Sequence, residues 1–108
     1  MNKEIHGMQV VPHRDENGVN FGGFDGVVIS HPEEFSELVA VQISNLAEKT
    51  EHYSVTFWER IKFDKSGFSS DTEIVKFLMN KANLFAERNK IKNKKIAITD
   101  NLAVELEL

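Results

Sequence analysis

The chain has 108 residues, 41% of them apolar and 28% charged, with a net charge of −4 and no cysteine. That length fits one domain, residues 1–108, with a modest core that needs no staples. The missing thiols exclude a disulfide framework and every thiolate metal site, and the acidic balance argues against a general nucleic-acid coat. Charge is uneven along the chain: residues 1–51 carry nine acids against three bases, and residues 52–108 eight acids against ten bases. Two differently charged faces are expected. The N-terminal MNKEIHGMQ has no apolar core of signal-peptide length, and no apolar run is long enough to span a membrane. A cytoplasmic protein is expected.

Ile5 to His13 reads as a strand that stays near a sheet edge, because Pro12 cannot donate to a ladder. Asn17-Gly18 is a hairpin signal, since both residues tolerate positive φ. Val19 to Ile29 follows as one long bent strand, or two short ones with a kink, where Gly22, Gly23 and Gly26 crowd together. Glycines inside a strand mark a bulge or a close backbone approach. Ser30-His31-Pro32-Glu33 has capping-box spacing with proline in the first turn. Phe35, Leu38, Val39, Gln42, Ile43 and Leu46 then repeat at helical spacing, which predicts a first helix.

His52 to Asp64 alternates regularly. Tyr53, Val55, Phe57, Ile61 and Phe63 share one face, and His52, Thr56, Trp58, Arg60 and Lys62 the other. This predicts a strand in a sheet buried on one side only. Lys65-Ser66-Gly67 makes a turn. Ser70 to Asn89 predicts the second helix, with a Ser70–Glu73 capping box and basic residues at its end. Its polar residues fill one narrow stripe, so it must be covered on more than one side. Lys95 to Thr99 and Leu102 to Leu108 read as two strands joined by Asp100-Asn101. The expected fold is α+β, a mainly antiparallel sheet with two helices packed on one face, in the order β-β-α-β-α-β-β.

No motif carries a recognisable chemistry. The four histidines, His6, His13, His31 and His52, have no metal-ligand spacing, although His13 and Asp15 flank one turn. No metal, cofactor or catalytic constellation is expected. Glu59 shares its face with Phe57 and Ile61, so a partly desolvated carboxylate there, with His52, is the one place for a small enzyme or ligand site. A Glu59 at the sheet margin, reaching solvent or pairing with a cation, is the plainer expectation. Trp58, Arg60 and Lys62 suit a protein hot spot. With His52 they also suit base stacking and phosphate contacts in a nucleic-acid module. Arg88, Lys90, Lys92, Lys94 and Lys95 form one dense basic run that suits an anion, although helix-dipole complementarity and solubility alone explain its position. Surplus apolar helix surface at Val75, Met79 and Leu84 suits either a wedge under the first helix or a homodimer interface. The leading expectation is a small non-enzymatic protein, an inhibitor, immunity or accessory factor, that binds another protein.

Overall fold

The structure, a computed structural model, describes residues 3–13, 24, 26–30, 39–45 and 54–108, with the backbone alone at 3, 39–45 and 54–56. The strands are β1 Lys3–Ile5, β2 Met8–Val11, β3 Gly26–Ser30, β4 Val39–Asn45, β5 Ser54–Glu59 and β6 Ile96–Thr99. The helices are α1 Asp71–Arg88 and α2 Asp100–Glu105, and a 3-10 turn covers Lys65–Gly67. The Asn17-Gly18 hairpin, Gly22 and Gly23, the cap at His31 to Glu33, Asp15 and His52 lie outside the described residues.

The fold is α+β, with a sheet in the order β1-β2-β6-β3-β4-β5. Its centre is parallel, β6 pairing in parallel with both β2 and β3, and antiparallel pairs flank that centre on either side. The sheet is therefore mixed rather than mainly antiparallel. The element order also differs from expectation: five strands precede α1, and β6 and α2 follow it.

Three local readings are corrected. The expected first helix is strand over its described part, residues 39–45, where β-branched Val39, Val41 and Ile43 stand at alternate positions. That period suits a strand as well as the longer pattern suited a helix, and pairing with β3, Val27 opposite Ile43 and Ile29 opposite Val41, decides the matter. The expected last strand is helix α2. Leu102, Ala103 and Leu106, spaced for one helical face, are buried, while Val104 is 77% exposed. The expected first strand is a hairpin turning at His6-Gly7, with φ of 52° and 86°, in the left-handed region that tight hairpins require.

Helix α1 forms as expected. Ser70 caps it by accepting from the Glu73 N–H, and the Glu73 carboxylate accepts from the Ser69 N–H, one residue beyond a standard capping box. At the other end Lys90 has φ of 54°, the Lys90 N–H donates to the Glu87 carbonyl, and the Ile91 N–H donates to the Ala86 carbonyl at 2.9 Å. This is a Schellman stop with lysine in the place usually held by glycine. Glu107 closes α2 in the same way, with φ of 58°.

The helix crosses the sheet. Asp71 at its start meets the His6 ring at 3.5 Å in the β1–β2 turn, and Arg88 at its end meets Glu59 of β5 at 2.7 Å. Those anchors sit at opposite edges of the sheet, four to five strand spacings or roughly 19–24 Å apart. An 18-residue helix is about 27 Å long, enough to bridge them. Its apolar side, with α2, packs on Met8, Val27, Ile29 and Ile98 in one cluster. On the opposite face Val11, Phe24, Val28 and Ala97 form a second cluster. The central strands are thus buried on both faces, as a parallel centre demands, and not on one side only.

Gly26 has φ of 155°, and a Cβ there would lie 2.5 Å from the Lys95 carbonyl oxygen and 2.9 Å from the Phe24 ring. The Val27 N–H donates to that same carbonyl, so the close approach starts the β3–β6 pairing. Gly26→Ala is expected to cost about 1–3 kcal/mol by chemical denaturation. Leu102→Ala is expected to cost about 2–5 kcal/mol. Val104→Glu should stay within about 0.5 kcal/mol of the parent. A large loss from Val104→Glu would contradict the helical α2.

Candidate functional site

Strand β5 is, with β1, one of the two outermost described strands, and it pairs with β4 through an irregular register between Gln42 and Ser44. Glu59 turns toward α1, where its Oε1 accepts from Arg88 Nη1. Alternation then places Phe57 on the helix side and Trp58 on the opposite face. Trp58 is 66% exposed and Phe57 is 39% exposed. Arg60 and Lys62 are exposed and make interactions of their own. Beyond Glu59 the chain leaves the ladder. Ile61 is buried in the main cluster, and Phe63 packs edge-on against Phe68 and obliquely against Phe77.

Glu59 therefore takes the cation-paired place at the sheet margin. Its exposed partner makes this a bond of about 0–1 kcal/mol. The other half of the imagined Glu59–His52 constellation, His52, lies outside the described residues.

The helix residues divide. Val75 is buried in the chain's own core, Met79 is half-buried against it, and Leu84 is exposed. The surplus apolar surface of α1 is thus largely used within the chain. The sheet, α2, and the Phe63, Phe68 and Phe77 rings take it up.

The structure also gathers a polar group that sequence reasoning missed. Ser30, Thr99 and His13 lie at or just past the carboxyl ends of the three parallel strands β3, β6 and β2. Ser30 and Thr99 are buried. Thr99 donates its hydroxyl to Asn101 Oδ1 at 2.7 Å, and the His13 backbone N–H donates to Asp100 Oδ1 at 3.0 Å. The His13 Nδ1 is buried without a hydrogen-bond partner among the described residues. In open sheets ligands gather at such carboxyl ends. Here the named bonds tie β2 to the start of α2. The signal for this group was the apolar stretch Ile96-Ala97-Ile98 followed by polar Thr99-Asp100-Asn101.

Three carboxylates are held below their ordinary range. Asp64 is lowered by hydrogen bonds from the Ser66 hydroxyl and N–H. Glu73 is lowered by hydrogen bonds from Ser69. Glu107 is lowered by its hydrogen bond from, and attraction to, Lys65. All three fasten the entry to α1 and the end of α2. Among the described residues no three His, Asp or Glu side chains gather as a metal site, and no helix is long and apolar enough to cross a membrane. No family model, curated protein or solved structure matches the chain.

Because the folded values of these carboxylates are depressed, their contribution is complete above the ordinary values of 3.8 for Asp64 and 4.5 for Glu73 and Glu107, and disappears as pH falls through the lowered ones. A triple Asp64→Asn, Glu73→Gln, Glu107→Gln variant should melt below the parent at neutral pH. Thermal melts as a function of pH should show that gap closing on acidification. A gap independent of pH would show that these groups act without their charge.

Proposed function

We propose that this chain is a small binding protein that docks another protein against the outer strand β5, with Trp58 as the anchor. The observation that carries this reading is Trp58, 66% exposed on an outermost described strand beside the 39% exposed Phe57. Indole anchors dominate protein interfaces because they bury a large rigid surface and keep one donor for a polar contact. An outer strand also offers backbone donors and acceptors to an incoming strand. An inhibitor, immunity or accessory role fits such a domain. A second copy of the chain is one candidate partner, and Leu84 is the residue of the expected helix interface left exposed for it. The alternative is a nucleic-acid module in which Trp58 stacks a base and the exposed Arg60 and Lys62 hold phosphates.

Trp58→Ala leaves the fold within about 0.5 kcal/mol, since the ring is largely in solvent. Tagged parent and variant are compared by capture from lysate of the natural host, with and without nuclease. One stoichiometric protein held by the parent after nuclease treatment, and lost by Trp58→Ala, is the expected result. Capture that disappears with nuclease favours the nucleic-acid module. Equal capture by parent and variant overturns the role of β5.

A further inference from the structure

We draw no further inference here: the strongest candidate, the polar group of Ser30, Thr99 and His13 at the carboxyl ends of β3, β6 and β2, adjoins the first turn of the six-residue helix α2, and beyond the one buried ring nitrogen of His13 nothing among the described residues shows what would bind there.

Discussion

Helix α1 buries Ile74, Val75, Leu78, Ala82, Phe85 and Ala86, and the position of the other elements follows from that contact. Each fully buried large side chain contributes about 1.5–3 kcal/mol. The paired ends, His6 with Asp71 and Glu59 with Arg88, are too exposed to add much. They mark where the helix lies more than they hold it there. An isolated helix of this length is marginal in water, so α1 depends on the sheet as much as the sheet depends on it.

The parallel centre explains the composition around α1. Strands β3 and β6 have apolar side chains on both faces, and β6 is flanked by β2 and β3 in parallel. Strands β5 and β6 point the same way, so the stretch from β5 through α1 to β6 is a long crossover that carries the chain from the sheet's edge to its middle. The Lys95 carbonyl, meeting Val27 at the Gly26 bend, closes that crossover. A side chain at Gly26 would separate the two strands at the point where their pairing begins.

The surface at β5 belongs to this crossover, which starts where Trp58 stands in solvent and ends in the lysine segment that feeds β6. The Thr99–Asn101 and His13–Asp100 bonds tie the carboxyl ends of β6 and β2 to the start of α2. The surface proposed for binding thus sits apart from the packed centre, where changes of side chain disturb the core least.

By itself the sequence determined helix α1, its Ser70 cap, its basic end and the strand at β6. Each of these follows from neighbours a few residues apart, whereas the close approach at Gly26 and the Arg88 partner of Glu59 were selected among alternatives by the fold. Only the tertiary structure decided the rest. Residues 39–45 carry both a two-residue and a helical pattern, and pairing with β3 selects the strand. Residues 102–108 alternate like a strand, yet a short run has no room to express its period. Packing over β6 selects a helix that exposes Val104. Strand order and the burial of both sheet faces depend on contacts between residues far apart in the chain, which no local pattern encodes. The exposure of Trp58, plain in the sequence as a residue, likewise comes from the fold.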